Sequence, residues 1–338
     1  MRAALVSRVP SVCSGGSGRR VSHMDTAKRG YGAYVSKACR AGDPDTHTGC
    51  DAPRRTRRAI LFPPLVTAAA LVVAELVSPH MALASDTRVL TVPGSSSDAF
   101  SFPSIAAAVA AIAASGDKSP VLIHLASGVY DERVVFGANL GNVTLAPGPG
   151  VDENSVTITH KTVVPYESTI EVVGDGTSVT LRNLRIRHAS KSVANNYAVF
   201  ANAGGVLAMT DCDVSSTTGC GIACEGSDLI VTKCLVHDCK SHGVAVFGDL
   251  LGDVGGGKIE KCFITKNGGD GVVVRQGAIG TITECEIVEN DGYAVTLIDV
   301  RKGTAVKGNT AKGNKRTPFA NLGGLTSGDD VEVSGNIF

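Results

Sequence analysis

The densest run of metal-seeking side chains in the sequence is His237-Asp238-Cys239 followed by His242. Imidazole and thiolate would suit zinc or copper, but a site needs a fourth ligand and a deprotonated thiol. The spacing supplies neither, so the four read as polar residues of a solvated corner, and no metal or other cofactor is expected. Asp249, Asp253 and Asp270 come nearest to a calcium-type carboxylate cluster. The first two lie in the glycine-rich stretch 248–257, where Asp is an ordinary turn residue. A third group is spread along the chain: Phe200, Asn202, Glu225, Phe247 and Arg275. An aromatic flanked by a carboxylate and a guanidinium can stack a sugar or clasp a peptide. Whether these five meet depends on the elements that carry them.

Those elements repeat. From Leu184 onward a polar residue, then Cys or Asn, then any residue and an aliphatic recurs as Asp211-Cys212-Asp213-Val214, Lys233-Cys234-Leu235-Val236, Lys261-Cys262-Phe263-Ile264 and Glu284-Cys285-Glu286-Ile287, and again at Asn309 and Asn336. Successive steps from Leu184 are 28, 22, 28, 23, 24 and 27 residues. Ten residues after each of the four cysteines a second strand opens, at Ile222, Val244, Val272 and Val295, three of them with a glycine just before: Gly221, Gly243 and Gly271. A third apolar run, at Met209, Val231, Ile259 and Ile282, precedes each cysteine. A constant inner offset with variable outer spacing means that two strands and their turn are fixed while insertions fall elsewhere. Asn267, Asn290 and Asn314, five residues beyond their Cys or Asn, are expected to supply left-handed turns.

Three short strands per turn of about 24 residues, with no helical period, describe a coil that buries its inward side chains only by stacking on its neighbours, each about 4.8 Å above the last. The expected fold class is all-β: a right-handed parallel β-helix of seven to eight coils, about 35 Å long at that spacing. One inward ladder is Leu184, Cys212, Cys234, Cys262 and Cys285; another is Val199, Ile222, Val244, Val272 and Val295. Stacked cysteines suit packing better than the disulfide torsion. Cys220, Cys224 and Cys239 fall outside that ladder, and a Cys220–Cys239 bridge remains open. Counting outward from the second ladder gives one column of Phe200, Ala223, Ala245, Val273 and Thr296, and a second of Asn202, Glu225, Phe247, Arg275 and Ile298. The five candidates thus share one exterior face, whose apolar first column should lie under a loop or a partner. Upstream, Phe102 to Ile112 forms an amphipathic helix with Ile105, Ala108, Val109 and Ile112 on one face, placed to cap the first coil.

These repeats resemble the right-handed parallel β-helix repeats of the pectin lyase-like superfamily over residues 89–338. The middle is similar to the repeats of F-box only and SHC-binding proteins and of periplasmic copper-site accessory proteins, which implies binding of protein, carbohydrate or metal. Val121-Leu122-Ile123-His124-Leu125 and Gly128-Val129-Tyr130-Asp131-Glu132 resemble the opening of pectin methylesterases, whose G-x-Y-x-E phrase is structural. That family's activity implies acids from Q-D and D-F-I-F-G phrases, both absent here. The corresponding strand reads Asn196-Tyr197-Ala198-Val199-Phe200, without the glutamine. No catalytic residue is assigned.

The chain has 338 residues, 40 of them Gly, and a formal net charge of zero that hides a split. Residues 1–58 carry 12 Lys or Arg against 4 Asp, whereas from Ser85 onward 20 basic face 27 acidic residues. An acidic domain offers no basic stripe for phosphates, so nucleic acid is not an expected partner. The Arg- and Ser-rich segment 1–58 reads as a transit-like presequence. Segment 59–84, with Arg57-Arg58 before an apolar run and Ala82-Leu83-Ala84 at its end, reads as an export signal that resembles the twin-arginine type. Together they resemble the bipartite presequence of proteins sent to the thylakoid lumen of plastids; secretion, a periplasmic address and a retained anchor are the alternatives. The domain is then 85–338 and does not itself span the membrane. Its expected role is that of a non-catalytic binding or scaffold protein for a protein or carbohydrate, the alternative being a carbohydrate-active enzyme of the lyase, esterase or epimerase class. The third-strand phrase at Asn336-Ile337-Phe338 suggests an exposed last coil and end-to-end self-association.

Overall fold

A computed structural model describes residues 87–93, 99–153, 155–192, 196–248, 255–322 and 331–338. All belong to one compact unit, Leu76–Phe338. The presequence and export segment, and the loop carrying Asp249 and Asp253, lie outside the described residues.

Strands from successive coils stack into three wholly parallel sheets. Sheet I has ten strands, from Arg88–Val92 and Val121–Leu125 through Val206–Thr210 and Asp228–Thr232 to Val331–Ser334. Sheet II has eight, from Gly128–Asp131 through Val156–Thr162, Arg185–Ser190, Asp213–Ser216 and Leu235–His237 to Thr310–Lys312. Sheet III also has eight, from Val134–Phe136 through Ile170–Val173, Val199–Asn202, Ile222–Glu225, Val244–Phe247, Val272–Arg275 and Val295–Ile298 to Phe319–Leu322. The chain visits them in the order I, II, III eight times, which gives eight complete coils. Inward residues of all three sheets form one continuous apolar core along the axis.

The register agrees with the sequence ladders. Val199, Ile222, Val244, Val272 and Val295 pair in succession, and Leu184 and the four cysteines of the phrase are all buried. Each thiol also donates to a carbonyl two residues back, as Cys234 Sγ does to Thr232 O at 3.4 Å and Cys285 Sγ to Thr283 O at 3.3 Å. All seven cysteines of the described region are free and buried. Cys239 belongs to the central core and Cys220 to a separate cluster outside it, so the two sit on opposite sides of the wall and no bridge joins them.

Many corners are made by a residue in the left-handed region. In the coil that opens at Gly256–Glu260 these are Lys261, Lys266 and Gln276; in the next they are Glu284, Glu289 and Asp299. The turn asparagines behave otherwise than expected: the left-handed residue is the one before each, Lys266, Glu289 or Gly313. Asn267 and Asn290 are buried. Asn267 Nδ2 donates to Asn290 Oδ1 at 2.8 Å, and Asn290 Nδ2 to Asn314 Oδ1 at 2.9 Å. Each amide oxygen also takes the backbone N–H of the residue below, as Asn290 Oδ1 does from Asn267 N at 3.1 Å. An inward amide therefore satisfies the backbone groups that the sharp corner leaves without a sheet partner. Asn309 and Asn336 repeat the device where the cysteine ladder ends. Gly271 is required at its corner because a Cβ there would sit 2.2 Å from Ile287 Cγ2.

The helix spans Ile105–Ser115 and buries Ile105, Ala108, Val109 and Ile112, as its pattern implied. Ser104 caps it by accepting from Ala107 N at 3.1 Å. Glu132 caps it from outside, its two oxygens taking the N–H groups of Ile105 at 3.0 Å and Ala106 at 2.9 Å. Tyr130 Oη donates within the same corner, where Val92 O lies at 2.9 Å and Ala126 O at 2.8 Å. The G-x-Y-x-E phrase thus ties the first coil to its cap. Among the described residues no helix is long and apolar enough to cross a membrane. Glu132→Ala strips two charge-assisted bonds from the helix N-terminus and should lower stability by about 1–2 kcal/mol in denaturant melts. An unchanged midpoint would show that the cap does not hold the helix.

Candidate external face of sheet III

The five residues singled out by the repeat do share the outer face of sheet III. Asn202 pairs with Glu225, Glu225 with Phe247, Phe247 with Arg275 and Arg275 with Ile298; Phe200 heads the neighbouring column of Ala223, Ala245, Val273 and Thr296. Their exposure differs from expectation. Glu225 and Arg275 face solvent, but Phe247 is only 6% exposed. It joins Cys220, Ala223, Ala245 and Val273 in a second apolar cluster outside the wall, with Tyr197 and Phe200 packed against it. The apolar column is therefore covered in part by its own neighbours, and Phe247 is a floor rather than an open stacking platform. The physical reason is local. Alanines at 223 and 245 leave a shallow trough beside Phe247, and a large apolar ring lowers its free energy by lying down into it.

Charge is arranged around this floor. The Arg275 guanidinium sits over the Phe247 ring at 4.4 Å from the centroid. The rings of Tyr197 and Phe200 are 4.9 Å apart and tilted by 39°. Burial holds the Tyr197 phenol well above its ordinary range; Cys220 and Glu225 add to the shift and Arg275 opposes it. Burial likewise pushes the Cys220 thiol up, and that of Cys224, on the inner side, to about 12, so neither is a ready nucleophile. His242 Nδ1 accepts from Asp270 N–H at 2.9 Å, with Asp270 Oδ2 3.6 Å away. That bond occupies the Nδ1 lone pair and places the neutral ring's proton on Nε2. Burial, its largest influence, pushes the His242 pKa down.

The soft-ligand run is dispersed by the fold. His237 lies outside sheet II, with Nε2 2.8 Å from Asp213 Oδ1 and Nδ1 2.6 Å from Asp238 Oδ2. Cys239 points into the core, where burial holds its thiol at about 12. His242 turns to Asp270. Asp213 and Glu286 share one outer column three rungs apart, with Leu235 and Phe263 between them.

The sequence reading stopped at Val199 and missed the most polar end of the face. One coil earlier, Ile170 pairs with Val199, which sets Glu171 beside Phe200. Arg133 Nη2 lies 2.6 Å from Glu171 Oε2, and Asn202 Nδ2 donates to Glu171 Oε1 at 3.3 Å. Arg133 also reaches Glu167, Nη1 to Oε1 at 3.7 Å. A hydrogen bond from Thr162, at 2.5 Å, is the largest influence holding Glu167 below its usual range. Asn202 Oδ1 and Arg133 Nε are buried with no partner among the described residues. Two carboxylates, Glu171 and Glu225, thus flank Asn202 on one outward face two coils apart, about 10 Å along the axis. Glu171 is not among the residues that the repeat singled out. Its signal was the alternation Ile170-Glu171-Val172-Val173, hidden because the coil carries no Cys at the ten-residue offset.

What the fold and this face define is a parallel β-helix protein with a polar and aromatic strip on the outside of one sheet. The right handed beta helix region family model matches residues 168–338, and the chain belongs to that family. The rice weevil pectin methyl esterase superposes with a TM-score of 0.51 at 14% identity, covering 77% of this chain and 90% of that one. The pectin methylesterase of Aspergillus niger gives 0.45 at 15% identity, covering 77% and 92%. At these identities the likeness is one of fold. No curated protein matches the chain.

Two outcomes follow from burial at this face. Phe247→Ala should cost about 3–4 kcal/mol, as for a buried core ring, and Arg275→Ala about 1 kcal/mol, for an exposed guanidinium over an aromatic face. Equal small effects in denaturant titrations would return Phe247 to the surface. Beside the strip, His188 is 2% exposed. Thr169 Oγ1 lies 3.0 Å from His188 Nδ1 and donates to Arg187 O, so it accepts the Nδ1 proton. Burial, reinforced by His160 and opposed by Glu167, pulls the His188 pKa from 6.5 to about 4. The unfolded chain therefore binds the proton first as pH falls, so this contribution is complete above pH 6.5 and is lost toward pH 4. Unfolding free energy should drop by about 2–3 kcal/mol across that window and the slope should flatten in His188→Gln. An identical slope in the variant would assign the loss to other groups.

Proposed function

We propose that this protein binds carbohydrate on the outer face of sheet III. The observation that carries the reading is the row Arg133, Glu171, Asn202, Glu225 and Arg275, whose planar polar groups line an apolar floor of Tyr197, Phe200 and Phe247. Sugar rings present hydroxyls at their edges and apolar C–H faces; the polar row answers the first, and the half-buried rings of Tyr197 and Phe200 offer the second. Successive coils repeat at about 4.8 Å, close to the length of one sugar unit, so an extended chain can meet equivalent groups along the rod axis. A protein ligand is the less favoured occupant because the face is short of exposed aliphatic side chains, its apolar residues being sunk in the floor.

Glycan-array binding by the full chain, followed by titration calorimetry on the hits, tests this. Glu171→Ala should weaken a saturable saccharide by at least tenfold while leaving the fold intact by circular dichroism. The absence of any saturable saccharide, or full affinity in the variant, would overturn the reading. A second reading, that the face also acts on its sugar, is favoured by Glu171 and Glu225 standing on one side of the wall with Asn202 between them. Time-dependent loss of a bound oligosaccharide, abolished by Glu225→Gln, would establish it; a ligand recovered unchanged would leave binding alone.

A further inference from the structure

The turn between strands Val156–Thr162 and Ile170–Val173 carries four consecutive exposed apolar residues, Val163-Val164-Pro165-Tyr166. Val163 is 70% exposed, Val164 49% and Tyr166 71%. A run of that length on the surface of a folded domain is unfavourable in water unless it has a function. Single exposed aliphatics elsewhere on the rod, such as Ile230, need no such account.

The fold holds this run outside. Val164 N donates to Thr162 Oγ1 at 2.9 Å, and Thr162 Oγ1 donates to Glu167 Oε2. Buried Asn196 secures the other side, accepting from Tyr166 N at 3.3 Å and donating to Val164 O at 3.2 Å. Tyr166 stands at φ 61, in the left-handed region that a bulky side chain rarely enters. Such a conformation persists where its surroundings over-determine it, and here it accompanies an aromatic ring turned to solvent.

The charge beside the turn is cationic. Lys191 N donates to Thr162 O at 3.1 Å and Lys161 pairs with Ala189, so that Lys161, Val163 and Lys191 line one open depression of about 410 Å³. Both lysines are exposed, and among the described residues neither has a carboxylate partner. The turn's own carboxylate, Glu167, is drawn away to Thr162, His160 and Arg133. An apolar tip with a tyrosine, and ammonium groups on long stems beside it, suits a bilayer interface: the ring lies at headgroup level and the lysines reach anionic lipid. A protein partner fits less well, since a stable interface takes about 20–30 residues a side and the apolar run here has four.

We propose that the turn 163–166 docks the protein on a lipid surface bearing anionic headgroups, with Val163, Val164 and Tyr166 entering the interface and Lys161 and Lys191 meeting the headgroups. The attachment is peripheral and independent of the carbohydrate reading of sheet III. So small an apolar tip gives reversible binding, and the charge selects the membrane. Each lysine at an anionic surface strengthens attachment about fivefold.

The chain contains no Trp, so Tyr166→Trp installs a single fluorophore at the tip. When the full chain is titrated with vesicles of phosphatidylcholine containing one third phosphatidylglycerol, its emission should shift to the blue and be quenched by brominated acyl chains. Ile230→Trp, on sheet I, should do neither, a control that separates the turn from the apolar segment 59–84. In the Tyr166→Trp background, Lys161→Gln with Lys191→Gln should weaken the response at least tenfold, and Val163→Ser with Val164→Ser should abolish it. Lys302→Gln with Lys312→Gln, an exposed pair on the far coils, should leave it within twofold. The lipid assignment is overturned by no shift at position 166, by an equal response to pure phosphatidylcholine, or by an equal response at position 230. A blue shift that grows with protein concentration in the absence of lipid would seat a second copy on the tip and overturn it as well.

Discussion

Parallel stacking of one coil on the next is the constraint from which the rest follows. In a parallel sheet the backbone groups of each strand are satisfied by the coils above and below rather than by the strand's own neighbours in sequence. A coil of this chain is thus incomplete alone, and its inward side chains become a core only in the stack. Registry must hold in three sheets at once, so each coil must turn three corners in few residues. Many of these corners use left-handed residues, among them Lys, Glu, Asp and Gln, at a cost of about 1 kcal/mol each. In the later coils that cost is offset where an inward amide answers the backbone groups of the corner.

The ladders show how the interior tolerates polarity. Cysteine thiols and asparagine amides occupy equivalent inward positions, the thiols nearer the middle of the rod and the amides toward Asn336. A thiol packs as a small apolar group and still donates to a carbonyl, whereas an amide must be satisfied on both ends. Stacked amides accomplish this for one another, each passing a hydrogen bond to the next rung. The same logic fails on the outer face of sheet III near Asn202, where a buried amide oxygen has no partner among the described residues.

The outer face also shows why a surface cannot be read column by column. Alternation places Phe247 outside correctly, but small residues beside it open a trough and the ring fills it. The same small residues bring Cys220 and Tyr197 into a cluster that no periodicity foretells, because those two lie in corners rather than in strands. Glu171 and Arg133 are absent from the pattern for a different reason. They belong to coils whose spacing has no cysteine phrase to anchor the count, and Arg133 reaches the face from the end of a strand.

By itself the sequence determined the coil, the ladders and the residues that share a face. Those depend on side-chain period and on the fixed offset from Cys212, Cys234, Cys262 and Cys285, both local in sequence. It also determined the capping helix, whose apolar stripe needs no partner to be recognised. Only the tertiary structure decided which outward residues remain outward, that Glu171 joins Asn202 and Glu225, that His237, Cys239 and His242 part company, and that the turn asparagines point inward while their predecessors adopt the strained backbone. Each of these turns on contacts between coils, such as those 23 to 31 residues apart in sequence. Such contacts are set by how sharply a corner bends and by the size of the side chain one rung away, quantities that a repeat pattern leaves free.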